Sequence, residues 1–164
     1  MSAAAFDPLR ILKTLKRHEV RYVIIGGIAG RLWGSTTVTN DLDICYGRDG
    51  ANLEALADAL KELKAKLRGT DRDLPFITEA RSLELGDHFT FTTLAGNFDC
   101  LGSPRGSGGY ESLARTATQM DVGGVNVLVA ALEDLILMKR AAGRPKDLIE
   151  VEILCAVQEE LERS

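Results

Sequence analysis

The four residues Asp41-Leu42-Asp43-Ile44 constrain this chain more than any other segment of similar length. On a β-strand successive side chains point to opposite faces, so Asp41 and Asp43 share one face and Leu42 and Ile44 the other. The aliphatic face must pack on a core. The acidic face then holds two like charges, and each raises the pKa of the other. A fold carries such a pair most easily when a cation lies between the carboxylates. Oxygen-only ligands suit a hard ion such as Mg²⁺, with Mn²⁺ as a substitute. Mg²⁺ usually takes one or two carboxylates plus substrate phosphates. The segment therefore points to metal-dependent phosphate chemistry.

The elements around it follow from spacing and turn chemistry. Asp7 and Pro8 suit the N-cap and first position of a helix that runs to about His18. Tyr22 to Ile25 reads as a short buried strand ended by Gly26-Gly27, with a short helix from Ile28 to Trp33 and a polar loop from Gly34 to Asn40. Asp41 to Tyr46 is the second strand. Leucines at 53, 56, 60, 63 and 67 predict one amphipathic helix over Ala51 to Leu67. Residues 69 to 86, with Pro75, read as loop with about one helical turn. Phe89 to Thr93 and Asn97 to Leu101 form a hairpin around Ala95-Gly96, and Met120 to Val129 a second one that turns at Gly123-Gly124. Ala131 to Ala142 is a helix closed by Gly143, and Pro145 starts another.

The expected fold is α/β (α+β): a mixed sheet with flanking helices and two C-terminal helices. The 164 residues fit one domain over 1–164, with a core at about 20–130 and the C-terminal helices at about 131–162.

Charge and composition narrow the partners. The net charge of −4 argues against non-specific DNA binding, which rests on neutralising phosphates. No apolar run reaches membrane-spanning length, and Met1 to Asp7 lacks the basic and apolar regions of a signal peptide. The expectation is a cytoplasmic protein with no membrane partner. Cys45, Cys100 and Cys155 have no paired spacing, which suits reduced thiols. Cys45 shares a strand face with Asp43 and reads as a small buried hydrophobe. His18 and His88 are too few and too far apart for a zinc site.

Two further places bear on phosphate chemistry. Gly26-Gly27 lies at a strand-to-helix junction, where bare backbone and the free N–H groups of a helix start form either a phosphate cradle or a tight turn. Asp99 lies among apolar residues in Asn97-Phe98-Asp99-Cys100-Leu101. If its strand lies beside Asp41–Asp43, three carboxylates converge on a metal; otherwise Asp99 is an acid at a hairpin end. The loop Gly102 to Gly109 lacks the Gly-Lys-Ser/Thr ending of a P-loop and reads as a flap.

Gly26-Gly27, Asp41-Leu42-Asp43-Ile44 and the later Asp99 together resemble the nucleotidyltransferase superfamily of the polymerase β type. Within it the chain is similar to short bacterial members related to AbiE-type (AbiEii-like) toxins. The segment Glu133 to Leu148, which includes Lys139, Arg144 and Asp147, is similar to a helix-turn-helix of that branch. Thr39 matches the pattern. Many members carry Ser where Gly27 stands, and relatives in this branch often carry Arg where Thr37 stands.

The resemblance implies a Mg²⁺-dependent enzyme that moves a nucleoside monophosphate from an NTP to an acceptor hydroxyl. Asp41, Asp43 and Asp99 would be catalytic and hold metal, while Gly26, Gly27, Thr39 and Lys139 would bind the nucleotide. The acceptor is open between an RNA or tRNA end, a protein and a small molecule. Without the resemblance, Lys139 reads equally as a cation at a helix C-terminus, and Arg144 as a partner for Asp147. The alternative to an enzyme is a toxin–antitoxin-type module that keeps the fold and acts by binding a partner, such as an antitoxin protein.

Overall fold

The computed structural model describes residues 4–69 and 79–164. Asp7 caps helix α1 (Pro8–Arg17) by accepting from the Arg10 N–H at 3.2 Å, as its sequence suggests. Strand β1 (Tyr22–Ile25) leads into α2 (Gly26–Trp33), and β2 (Asp41–Tyr46) into α3 (Gly50–Glu62). A two-residue strand β3 (Lys66–Leu67) and helix α4 (Ala80–Leu85) precede the hairpin β4 (His88–Thr93) and β5 (Gly96–Leu101). Helix α5 (Tyr110–Thr116), the hairpin β6 (Thr118–Val122) and β7 (Val125–Val129), then α6 (Leu132–Ala142) and α7 (Pro145–Glu162) complete the chain.

Among the described residues the strands form one mixed seven-stranded sheet in the order β3-β4-β5-β2-β1-β7-β6. Strand β2 runs antiparallel to β1 and parallel to β5, so the centre of the sheet mixes both modes. The expected mixed α/β fold with flanking helices is therefore what the chain adopts.

Alternation decides what the central strands present. Leu42, Ile44, Phe98 and Cys100 are wholly buried on one face. Asp41, Asp43 and Cys45 share the other face with Asn97, Asp99 and Leu101, their register partners on β5. Helices α1 and α3 pack together, as do α3 and α4; α2 packs on α6, and α6 on α7. Burying one leucine is worth about 1.5–3 kcal/mol, so the aliphatic side of β2 can hold its acidic side in place.

Two expectations change. The helix expected over Ala51 to Leu67 stops at Glu62, and Leu67 lies on β3 instead. Lys64 takes a positive φ of 52°, and the N–H groups of Lys64 and Ala65 turn back onto the carbonyls of Lys61 and Leu60. No glycine marks this reversal, so the leucine spacing carried the helix too far. Helical geometry also begins earlier at α2, on the two glycines themselves. Between 69 and 86 the expected helical turn is the six-residue α4, while the expectation for Pro75 lies outside the described residues. Among the described residues no helix is long and apolar enough to cross a membrane.

Candidate active site

Parallel pairing of β2 with β5 sets Asp43 directly beside Asp99, and Asp41 beside Asn97. One carboxylate oxygen from each of Asp41, Asp43 and Asp99 lies within 4.8 Å of the other two. The three acids expected to converge do so, on the side of the sheet away from the buried aliphatic face. Burial and the charges of Asp41 and Asp99 push the Asp43 carboxyl well up, with Lys139 pulling the other way. Asp99 is also raised, by burial first, although the Arg68 guanidinium offsets part of the rise. The three acids thus repel one another, and a cation between them would relieve that repulsion. An all-oxygen donor set this compact fits a hard divalent ion.

The glycine pair is shaped by the acids. Gly26 has a φ of +70°, and a Cβ built there would overlap the Asp43 carboxylate. The α2 N-terminus can therefore sit against β2 only if residue 26 has no side chain. A Cβ at Gly27 would lie 2.8 Å from Thr39 Oγ1 and 2.9 Å from Thr39 Cβ. The Thr39 side chain occupies the space a larger residue 27 would need. Its hydroxyl donates to Asp41 Oδ1 at 3.1 Å, which ties the α2 start, the 34–40 loop and the first acid together.

Thr37 has a different task. Its hydroxyl and that of Ser35 donate to the two oxygens of the buried Glu150 on α7. The Thr37 hydroxyl is thus spent on closing the loop onto α7.

Several cations line the cavity over the acids. Lys139, near the end of α6, stands 3.6 Å from Asp147 Oδ1 and lowers the pKa of Asp43. Arg144 donates through Nε to Asp147 Oδ2 at 2.6 Å, as expected of that pair. Burial pushes the Asp147 carboxyl up, but Arg144 and Lys139 bring it below the ordinary range. Arg68 is the residue the sequence did not single out. Its Nη2 donates to Asp99 Oδ1 at 2.8 Å and its Nη1 to the Phe91 carbonyl at 2.9 Å. Only the pairing of β3 with β4 brings it there, and that pairing was hidden inside an expected helix.

A cavity of about 700 Å³ lies over the acids, lined by Thr39, Asp41, Asp43, Arg68, Asp99 and Lys139 among others. A second of about 480 Å³ adjoins it across Lys139 and Asp147 and is lined by Gly26, Pro104, Arg105 and Met138. The first is large enough for a nucleotide-sized ligand. The 102–109 loop, expected as a flap, walls the second cavity and is braced internally by Ser107, whose hydroxyl donates to Pro104 O at 2.6 Å. Cys45 is buried, as expected, and its thiol is pushed up to about 12, chiefly by burial.

No protein-family model and no curated protein matches the sequence. Solved structures do match the fold. A lincosamide antibiotic adenylyltransferase, LnuA, solved with lincomycin bound, aligns with a TM-score of 0.61 at 12% identity, over 92% of this chain and 95% of its own. The antibiotic-resistance factor ANT(2'')-Ia aligns with a TM-score of 0.56 at 16% identity, over 91% of this chain and 80% of its own. A Thermotoga maritima protein assigned as a nucleotidyltransferase aligns with a TM-score of 0.52 at 15% identity, over 98% of each chain. The chain has the fold of the nucleotidyltransferases, with a candidate acidic triad at Asp41, Asp43 and Asp99.

Proposed function

We propose that this chain, acting as one domain, is a Mg²⁺-dependent nucleotidyltransferase that moves a nucleoside monophosphate from an NTP to an acceptor hydroxyl. The convergence of Asp41, Asp43 and Asp99 over a cavity carries the reading. Mn²⁺ serves in place of Mg²⁺.

Asp41 and Asp43 would hold the ion next to the triphosphate, and Asp99 would share the one nearer the acceptor. Bound there, the ions lower the pKa of the acceptor hydroxyl and neutralise the departing pyrophosphate. Gly26 and Gly27 offer the bare α2 N-terminus to the triphosphate. Thr39 adds a hydroxyl beside Asp41. Lys139 supplies the charge that balances the phosphates between the two cavities. The acceptor oxygen bonds to the α-phosphorus as the bond to the β-phosphate breaks. The electron pair leaves with pyrophosphate, and the acceptor proton goes to solvent.

Two of the structurally similar proteins are an adenylyltransferase of a lincosamide and a factor captured with adenylyl-2''-tobramycin. That likeness puts a small hydroxyl-bearing molecule first among acceptors, ahead of an RNA or tRNA end or a protein. Kinship with AbiE-type toxins, and an antitoxin partner, rest on the Glu133 to Leu148 segment alone.

The test is thermal unfolding with Mg²⁺, with NTP and with both. Mg²⁺ and NTP together are expected to raise the melting temperature more than either alone, because a ligand that binds only the folded state stabilises it. Asp43→Asn is expected to lose most of that gain. Equal shifts in the two proteins would sink the reading.

A further inference from the structure

Arg68 carries an inference that rests on the transferase reading and deepens it. Its backbone N–H donates to the Thr90 carbonyl at 2.8 Å, extending the pairing of β3 with β4 by one residue. Its guanidinium then spans two acceptors, the Phe91 carbonyl and Asp99 Oδ1. A planar guanidinium that bonds two fixed acceptors has little freedom left. Asp99 is 9% exposed and the Arg68 side chain 31%, so the contact is shielded from solvent on its carboxylate side. Among the described residues no cation is hydrogen-bonded to Asp43 or Asp41: the first shares a hydrogen bond with Asp99 and feels Lys139 through charge, and the second accepts from the Thr39 hydroxyl.

The three acids are therefore unequal. Asp41 and Asp43 carry no guanidinium and can turn their oxygens to a bound cation. Asp99 has one oxygen committed to a permanent positive charge and one left over. We propose that Arg68 is a positioning residue of the transfer site: it locks Asp99 as a one-oxygen ligand. The acceptor-side ion, which shares Asp99 with a guanidinium, then binds more weakly than the ion held by Asp41 and Asp43. The chain would thus load its triphosphate-side ion first, and NTP, which brings further oxygens, would tighten the second.

Mn²⁺ alone, titrated calorimetrically into the nucleotide-free protein, tests this. The wild type is expected to bind one ion at least tenfold more tightly than a second. Arg68→Gln removes the charge and keeps a hydrogen-bonding group, so its weaker step is expected to tighten by about tenfold, since a nearby like charge has been removed. Arg68→Lys keeps the charge and is expected to stay within about threefold of the wild type. A merely structural arginine would give the opposite pattern, with weaker Mn²⁺ binding in both variants as the site loosens. Weaker or unchanged binding in Arg68→Gln overturns the proposal. So do two equal steps in the wild type, a measurement that needs no variant to fold. A wild type that binds no Mn²⁺ and gains nothing from Mg²⁺ with NTP would remove the transferase reading itself. A wild type that gains from Mg²⁺ with NTP but shows equal Mn²⁺ steps would remove only the role of Arg68.

Discussion

Asp43 and Asp99 face each other in register across the parallel seam between β2 and β5, and both carboxyls are raised above their ordinary range. For Asp43 the causes are burial first, then the charges of Asp41 and Asp99. For an acid with a raised folded pKa, the folded state binds more protons than the unfolded state once pH passes the unfolded value of about 4. Stability then falls as pH climbs through the folded pKa. The metal-free protein in EDTA is expected to melt at lower temperature as pH rises from about 4 to 8. Asp43→Asn is expected to flatten that slope and to melt higher than the wild type near neutral pH. A wild-type melting temperature that rises across this window would show that the acids do not repel as described.

Gly27 and Thr39 compete for one space, since a Cβ at 27 would stand 2.8 Å from Thr39 Oγ1. Gly27→Ser alone is therefore expected to destabilise the fold by about 1–3 kcal/mol, the usual cost of overpacking. Thr39→Ala alone is expected to keep the fold and weaken NTP binding. In Gly27→Ser with Thr39→Ala the Oγ1 contact is gone while the Cβ of residue 39 still stands 2.9 Å from a Cβ at 27, so stability should return only in part, and a hydroxyl should again stand near Asp41. Urea unfolding and NTP titration of the three variants check this. A double variant as unstable as Gly27→Ser would show that the Thr39 hydroxyl is not what opposes a side chain at 27.

Much of this was legible in the residues because it depends on short-range pattern. Alternation in Asp41 to Tyr46 fixed which side chains share a face, and the Asp7-Pro8 and Pro145 starts marked helices. The partnership of Asp99 with Asp43 needed strand order, which a lone sequence leaves open. Arg68 was missed for a definite reason. The leucine period ran on through Leu67, while the helix ends at Glu62 and the chain reverses at Lys64, a left-handed residue that is not glycine. The burial of Glu150 by Ser35 and Thr37 spans more than a hundred residues of chain, and no local signal announces it.

Asp147 is buried and accepts from Arg144 and faces Lys139. Its carboxyl stands below the ordinary range despite burial, so its contribution is full above the unfolded pKa and is lost as pH falls through the lower folded value. Asp147→Ala is expected to cost about 1–3 kcal/mol near neutral pH, since it removes the acceptor that holds two cations. Arg144→Ala should cost less, because that side chain is 60% exposed and water screens its pair. Urea denaturation of both variants measures the difference, and an equal or larger loss in Arg144→Ala would contradict it.

Lys139 and Arg140 are neighbours on α6 with different surroundings. Lys139 is half-buried, lines both cavities and acts on Asp43. Arg140 is exposed and points elsewhere, as adjacent helical residues do. If Lys139 meets a triphosphate, Lys139→Ala removes a charge-assisted contact worth about 1.5–3 kcal/mol. NTP affinity in Mg²⁺ should then fall by roughly ten- to a hundredfold, while Arg140→Ala should change it little. Because Lys139 also stands 3.6 Å from Asp147, a small loss of stability is expected too, and it should persist without nucleotide. The two effects separate on titration, since the affinity loss appears only with NTP. Equal losses in the two variants would reduce Lys139 to general electrostatics. An unchanged affinity in Lys139→Ala would leave it a helix-end cation that steadies Asp147 and nothing more.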